Sequence, residues 1–134
     1  MPPTILVVDD DPVIQRLLAV NFEMEGYRVV TAGDGIEGLE RVVDDRPDLI
    51  LLDVMMPRMD GIAVVRKLKA DPATAEIPVI LLSAKAQSTD ISGGLDAGAD
   101  DYVTKPFDPL ELLDKVEVLI GAPGVEGPAS GANR

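Results

Sequence analysis

Short apolar runs alternate with longer amphipathic segments five times along the chain. The short runs are rich in Val, Ile and Leu, as buried parallel strands are, and the longer segments carry apolar residues at helical spacing. Parallel strands need crossover helices, so the alternation predicts an α/β fold with a doubly wound, five-stranded parallel sheet. The predicted strands are residues 5–8, 28–31, 49–52, 78–82 and 101–104, and the predicted helices are residues 12–25, 35–45, 60–70, 88–96 and 108–120.

Apolar stripes on three of the helices predict which helix faces pack against the sheet. Each stripe follows the three- and four-residue steps that place side chains on one side of a helix. The predicted inner stripes are Val13, Leu17, Val20 and Met24 in the first helix, Ile36, Leu39, Val42 and Val43 in the second, and Leu112, Leu113, Val116 and Ile120 in the last.

Two adjacent glycines, Gly93 and Gly94, fall inside the fourth predicted helix. In a helix interior each costs about 1 kcal/mol relative to alanine. One interpretation is therefore a short or mobile fourth helix. The other is that Gly94 allows this helix to pack closely on the sheet.

The composition is typical of one soluble globular domain. The chain has 134 residues, of which 46% are apolar, 27% charged and 3% aromatic, so aliphatic side chains must build most of the core. It contains no cysteine, which excludes disulfides and thiolate metal sites. No apolar stretch approaches the ~20 residues of a membrane span, and the polar start is not that of a signal peptide. We therefore expect a cytoplasmic protein without membrane contact.

The chain is strongly acidic, with a formal net charge of −12. This charge repels nucleic-acid phosphates, so we expect no direct contact with DNA or RNA. After Gly121 the sequence is rich in Gly, Pro and Ala and shows no periodicity. The predicted organisation is one domain over residues 1–121, followed by a flexible tail or linker over residues 122–134.

Charged and hydroxyl side chains lie where the predicted strands end. Asp9 and Asp10 follow the first strand, Asp53 the third, Ser83 the fourth and Lys105 the fifth. The carboxyl ends of parallel strands border the crevice in which open α/β sheets bind ligands. Two carboxylates ~4 Å apart repel by roughly 4 kcal/mol at an effective dielectric near 20, so this acidic cluster needs a cation or a proton.

Mg²⁺ suits the acidic cluster, because it prefers hard oxygen ligands and retains several waters. We expect Asp10 and Asp53 to bind the ion directly and Asp9 to act through a water. A backbone carbonyl near Met55 would complete the share of ligands that the protein supplies.

Lys105 and Ser83 suit a phosphoryl group at the same strand edge. The Lys105 ammonium can reach toward Asp53 and offset added negative charge, and the Ser83 hydroxyl can donate to a phosphoryl oxygen. Taken alone, the two residues would be an ordinary surface lysine and a turn serine. The sequence leaves open whether the bond between Lys105 and Pro106 is cis.

Together these residues resemble the receiver domain of two-component response regulators, a family that includes the chemotaxis regulators. The resemblance covers about residues 4–120, in order and at the expected spacing. It implies a flavodoxin-like sheet with strand order 2-1-3-4-5. The matching segments are residues 5–12, 47–57, 59–61, 81–84, 98–102 and 105–107.

The resemblance implies a chemical role for the acidic cluster and the lysine. Asp53 would be the phosphoacceptor, modified by a sensor histidine kinase or a phosphotransfer protein in a reaction that requires Mg²⁺. Asp9 and Asp10 would be the acids that hold the ion, and Lys105 would neutralise the phosphoryl charge. Phosphoryl transfer needs chiefly positioning and charge stabilisation, which these groups supply. Such a domain is a phosphorylation switch and not an enzyme with an external substrate.

The resemblance also implies how the modification is transmitted. Ser83 would be the switch hydroxyl that turns toward the phosphoryl group, and Tyr102 the aromatic side chain that moves inward on activation. The face made by helix 4, strand 5 and helix 5 would then control a downstream partner, an output domain absent from this chain, or a phosphorylation-dependent homodimer. Two family positions that tune dephosphorylation hold Met55 and Lys85 here. Neither can orient water as a carboxylate or amide does, so we expect a long-lived phosphoryl group.

Other interpretations stay open from the sequence. The chain is either a complete single-domain regulator or the receiver of a longer protein cut in the linker that begins at Gly121. A phosphohydrolase also uses a nucleophilic aspartate with Mg²⁺, but such enzymes usually carry a second acid where Met55 stands. A flavodoxin-like FMN protein is disfavoured, because the chain lacks Trp and has acids where a phosphate loop would lie.

Overall fold

The computed structural model describes residues 2–84 and 88–123, apart from the side chains of residues 88–91. Five strands alternate with five helices in this part of the chain, and each boundary lies within one residue of the predicted position. In chain order the elements are β1 (Thr4–Val8), α1 (Pro12–Met24), β2 (Arg28–Ala32), α2 (Gly35–Asp45), β3 (Leu49–Asp53), α3 (Gly61–Ala70), β4 (Val79–Ser83), α4 (Ser88–Ala97), β5 (Asp101–Thr104) and α5 (Pro109–Ile120).

The strands form one parallel sheet in the order β2-β1-β3-β4-β5. This is the doubly wound, flavodoxin-like order that the sequence predicts, so the fold prediction is confirmed. The order reverses direction between β1 and β3, which lie side by side at the centre. Ligands of such sheets bind at this switch point, beyond the carboxyl ends of the strands.

Every residue of β1, β3 and β4 is buried, because helices cover both faces of the sheet. Alternate strand residues point to opposite faces and enter two separate apolar clusters. One cluster includes Leu6, Ile50 and Leu81 and packs against α2, α3 and α4. The other includes Ile5 and Leu51 and packs against α1 and α5.

Aspartate side chains cap four of the helices at their N-termini. Asp11, Asp34, Asp60 and Asp108 each accept a hydrogen bond from a backbone amide in the first helical turn, at 2.9 Å. Proline follows Asp11 and Asp108 directly, as expected for the first position of a helix. These caps fix where α1, α3 and α5 begin, next to the strand ends that carry the acids and Lys105.

The stripe predicted for the inner face of α1 is wrong. Val13, Leu17, Val20 and Met24 are exposed, with Val13 at 71% and Met24 at 79% of full exposure. The side chains that α1 buries belong to the neighbouring stripe, which is led by Leu18 and includes Ile14 and Phe22. Both stripes have helical spacing, so periodicity alone could not decide which of them faces the sheet.

The stripe predicted for α2 is half wrong, and that for α5 is confirmed. In α2, Ile36 and Val43 are exposed, whereas Val42 is buried and Leu39 packs against the core. Glycine explains the shift: a Cβ added at Gly38 would lie 3.0 Å from Val8, so α2 packs its glycine face on the sheet. In α5 all four predicted residues belong to or pack against the core.

The glycine pair in α4 has a packing role. A Cβ added at Gly94 would lie 2.0 Å from the Cδ1 atom of Leu81, a buried residue of β4. A Cβ added at Gly93 would lie 3.4 Å from Ile62, an ordinary contact. The structure therefore favours the interpretation that Gly94 allows close packing. At ten residues α4 is as long as α3, and its mobility stays a prediction.

The end of α5 is tied to the corner between α1 and β2. Tyr27, which is buried and packs edge-on against Phe22, donates a hydrogen bond from its hydroxyl to the carbonyl of Gly121 at 3.0 Å. Burial and the charges of Glu117 and Glu25 raise the pKa of Tyr27 to about 12, so the hydroxyl remains a donor. Most of the predicted tail, residues 124–134, lies outside the described residues.

No helix in the described part of the chain has the length and apolarity needed to cross a membrane.

Candidate functional site

Three carboxylates meet where β1 and β3 end, at the centre of the sheet. Asp9 directly follows β1, Asp53 is the last residue of β3, and Asp10 begins the loop to α1. One oxygen atom from each lies within 4.8 Å of the others. Asp9 is fully buried and Asp53 is 4% exposed, whereas Asp10 is open to solvent. The acidic cluster predicted from the sequence is therefore present in the fold.

Lys105 joins two of these acids from the end of β5. Its Nζ donates to Oδ2 of Asp9 at 2.8 Å and lies 3.5 Å from Oδ1 of Asp53. Burial acts to lower the pKa of Lys105, but the hydrogen bond to Asp9 and the two negative charges outweigh it and raise the pKa. Lys105 is thus a fixed cation shared by both acids, and closer to Asp9 than the sequence suggested. The bond between Lys105 and Pro106 is cis.

Asp53 is held in an environment that disfavours its charge. Burial and the neighbouring Asp9 raise the pKa of Asp53 to about 6, against the opposing effect of Lys105. The backbone amide of Met55 donates to Oδ1 of Asp53 at 3.3 Å. When ionised, the three acids and Lys105 carry a formal charge of −2, so a divalent cation would neutralise the site.

The chemistry of the donor set fits Mg²⁺. All three side chains supply carboxylate oxygens, the hard ligands that this ion prefers, and the exposed position of Asp10 leaves room for the waters that the ion retains. A cavity of about 430 Å³ lies beside Asp10 and is lined by Met55 and Asp60 among others. Within the acidic cluster, Asp10 is therefore accessible from solvent.

The loop that carries Asp9 is held by a residue that the sequence did not single out. Gln15, on the first turns of α1, donates from Nε2 to the carbonyls of Asp9 at 2.6 Å and Ala32 at 3.2 Å. The backbone amide of Asp11 donates to Oδ1 of Asp9 at 2.9 Å. A polar residue beside the apolar stripe of Leu18 was the available signal, and the wrong choice of stripe hid it.

Ser83 and Tyr102 lie on the two strands next to the acids. Ser83 ends β4, is 2% exposed, and its carbonyl accepts a hydrogen bond from the amide of Lys105. Tyr102 lies within β5 and is 37% exposed. Both residues thus have the positions, at the edge of the site and on the β5 surface, that the sequence predicts.

The response regulator receiver domain model matches residues 5–117 of the chain. The chain belongs to this family.

Curated relatives of this receiver domain are regulators. The DNA-binding dual master transcriptional regulator RpaA of Synechocystis is 50% identical over 118 residues, which cover 88% of this chain and 49% of RpaA. The phosphate regulon transcriptional regulatory protein PhoB of Pseudomonas aeruginosa is 44% identical over 121 residues, which cover 90% of this chain and 53% of PhoB. The chain therefore spans about half the length of the curated relatives it matches.

Solved structures give the same result for the fold. A putative response regulator from Chloroflexus aurantiacus aligns with a TM-score of 0.85 at 34% identity, over 89% of this chain and 98% of that one. The chemotaxis protein CheY4 of Vibrio cholerae aligns with a TM-score of 0.84 at 29% identity, over 90% of this chain and all of CheY4. The prediction of a two-component receiver domain is confirmed, and receiver domains are signalling switches.

Proposed function

We propose that this receiver domain accepts a phosphoryl group on Asp53 from a sensor histidine kinase or a phosphotransfer protein, in a reaction that requires Mg²⁺. The single observation that carries the proposal is the arrangement of Asp53 beside Asp9 and Lys105. Asp53 is a buried carboxylate with the Lys105 amine at 3.5 Å and a second acid nearby. Its oxygen can act as the nucleophile, and the amine can offset the charge of an incoming phosphoryl group. The proposal includes no other substrate, so the domain catalyses only its own modification and its reversal.

The residues of the chain can carry out this transfer. A carboxylate oxygen of ionised Asp53 forms a bond to phosphorus while the bond from phosphorus to the donor nitrogen of phosphohistidine breaks, and the imidazole leaves with that electron pair. The product is an acyl phosphate on Asp53. Lys105, already between Asp9 and Asp53, offsets negative charge on the phosphoryl oxygens. Such positioning and charge stabilisation are the main demands of phosphoryl transfer.

Asp10 and Asp53 are proposed to hold the Mg²⁺ directly, with Asp9 acting through a water and the carbonyl of Met55 completing the protein's ligands. Support comes from the three carboxylate oxygens within 4.8 Å of one another. A bound Mg²⁺ supplies positive charge to the phosphoryl oxygens and to the acids that repel one another.

Ser83 and Tyr102 are proposed as the switch residues. The phosphoryl group competes for the Ser83 hydroxyl and for the Lys105 ammonium, and this local electrostatic change favours a second arrangement of the surface. Tyr102 is 37% exposed on β5, the strand that follows α4 and precedes α5 in the chain, and an inward movement of its ring would alter the surface there. We infer that the α4–β5–α5 face is where a downstream partner, an output domain or a second phosphorylated copy binds.

A kinase or phosphotransfer partner is proposed to contact the exposed apolar side of α1, formed by Val13, Leu17, Val20 and Met24. Val13, at the start of this side, comes three residues after Asp10 in the chain, which favours contact with a protein that delivers a phosphoryl group to Asp53. Replacing Val20 with glutamate should therefore abolish transfer from the partner and leave phosphorylation by acetyl phosphate unchanged. The matched control is Val43→Glu, at an exposed valine of α2 on the other side of the sheet. Equal loss of both reactions in Val20→Glu contradicts this contact.

The central test is incubation with acetyl phosphate or phosphoramidate in the presence of Mg²⁺, followed by mass spectrometry to locate the added group. We expect modification at Asp53, its loss when EDTA is added, and its loss in Asp53→Asn. The control is Asp60→Asn, which removes a nearby carboxylate but keeps a good helix cap. Labelling that persists in Asp53→Asn, or that is indifferent to Mg²⁺, contradicts the proposal.

A long phosphoryl lifetime is also part of the proposal. Met55, which is 66% exposed beside Asp53, has no group that could orient an attacking water. Lys85, the other residue on which this prediction depends, lies outside the described residues.

Contact with DNA is assigned to no residue of this chain, whose net charge is −12. RpaA is named as a DNA-binding protein and is about twice as long as the segment it shares with this chain. We infer that DNA binding in a protein containing this domain would come from a separate output domain. A cytoplasmic location stays a prediction from the sequence.

A further inference from the structure

Every polar atom of Asp9 has a hydrogen-bond partner, and two of these partners are side chains, Lys105 and Gln15. Of the two, only Lys105 has a role in the proposed chemistry. The amide of Asp9 donates to the carbonyl of Ala32 at 3.1 Å, and its two carboxylate oxygens accept from Asp11 and Lys105. The remaining atom, the Asp9 carbonyl, accepts from Nε2 of Gln15 at 2.6 Å. Gln15 thus contacts the backbone of an acid whose carboxylate lies in the site.

The position of Gln15 makes it a bridge between three elements. It belongs to α1, and its amide group reaches both the carbonyl of Asp9, just beyond β1, and the carbonyl of Ala32, the last residue of β2. The two strands are paired up to Val8 and Ala32, and the pairing then ends. The Gln15 side chain therefore links the ends of β1 and β2 by hydrogen bonds at the point where their backbone pairing stops and the chain turns toward Asp10.

We propose that Gln15 is a positioning residue that fixes the Asp9 backbone and thereby sets the geometry of the Mg²⁺-binding acids. This inference rests on the proposed function of the site. Mutation of a residue that hydrogen-bonds to a metal-binding residue typically weakens metal affinity by ~10–100-fold. Without the Gln15 amide the Asp9 carbonyl loses its donor, and the loop that carries Asp9 and Asp10 gains freedom that the ion must then remove.

The test is calorimetric titration of the unphosphorylated protein with MgCl₂ alone. In Gln15→Met the side chain keeps its length and helix propensity but loses both N–H donors. We expect its dissociation constant for Mg²⁺ to rise about tenfold. The matched control is Asn21→Ala on the same helix, which removes a side-chain amide that donates to the carbonyl of Leu17 at 2.8 Å, within the helix. Its dissociation constant should stay within about twofold of wild type.

A purely structural role for Gln15 predicts a different result. In that case Gln15→Met lowers the free energy of unfolding but leaves Mg²⁺ affinity within twofold of wild type, and this outcome overturns the inference. If circular dichroism shows that Gln15→Met does not fold, Gln15→Asn is decisive by the same criterion, because it keeps an amide that is one methylene too short. A wild-type protein that does not bind Mg²⁺ overturns the proposed metal site itself, and the inference with it.

Discussion

Replacing the buried acid Asp53 with asparagine should stabilise the metal-free protein at neutral and alkaline pH. Burial and Asp9 raise the pKa of Asp53 from 3.8 to about 6 in the folded state. The folded protein therefore binds this proton more tightly than the unfolded chain does, and stability falls as the pH rises from 3.8 to about 6. Above about pH 6 the ionised carboxylate lowers the free energy of unfolding by a constant amount. A neutral amide of similar shape does not have this effect.

The size of the effect follows from the pKa. One pKa unit corresponds to about 1.4 kcal/mol, so Asp53→Asn should raise the free energy of unfolding by about 3 kcal/mol at pH 8. At pH 4.5 most of the folded wild-type protein has Asp53 protonated, and the gain should fall to about 1 kcal/mol. Mg²⁺ should reduce the gain at pH 8, because it stabilises the folded wild type by mass action.

Urea denaturation followed by circular dichroism, in EDTA at pH 4.5 and pH 8, measures both values. The control Asp60→Asn should change stability by less than about 0.5 kcal/mol, since asparagine is an equally good N-cap. Our account of the site electrostatics fails if Asp53→Asn is no more stable than wild type at pH 8. It fails equally if the gain is the same at the two pH values.

Three further predictions test packing and phosphoryl lifetime. Gly94→Ala should destabilise the fold by about 1–3 kcal/mol through overpacking, whereas Gly93→Ala should be neutral or stabilising by up to about 1 kcal/mol, both measured by urea denaturation. Leu18→Ala should cost about 2–5 kcal/mol in the same assay and Leu17→Ala less than about 0.5 kcal/mol; equal costs would contradict the orientation of α1. Met55→Asn should shorten the phosphoryl lifetime, followed by loss of label after the phosphodonor is removed, and an unchanged lifetime would contradict the role given to this position.

The sequence predicts the site well because parallel strands bring their carboxyl ends to one edge. Asp9, Asp53, Ser83 and Lys105 are far apart along the chain, yet each is the last residue of a strand or the next one. Once five strands are recognised, the meeting of these residues needs no knowledge of side-chain packing. Predicting that Lys105 lies between two acids would have required knowledge of side-chain packing, because strand order alone does not fix which carboxylate an amine approaches.

The sequence predicts the orientation of α1 poorly for a physical reason. Leu17 and Leu18 are adjacent, belong to stripes of equal regularity, and differ only in which of them meets the sheet. That choice depends on tertiary packing against the sheet, which the periodicity of the sequence does not specify. The bridging role of Gln15 was hidden for the same reason, because it becomes visible only when the buried side of α1 is known.

The hydrogen bond between Tyr27 and Gly121 fixes where the chain leaves the domain. Tyr27 directly precedes β2, so this exit lies at the amino ends of the strands, a strand length of about 17 Å or more from the edge that holds Asp53. A domain joined after Gly121 starts on the opposite side of the molecule from the phosphoryl group and has no short route to it. A signal from the phosphoryl group to such a domain would have to cross the length of the sheet to reach this end of the strands.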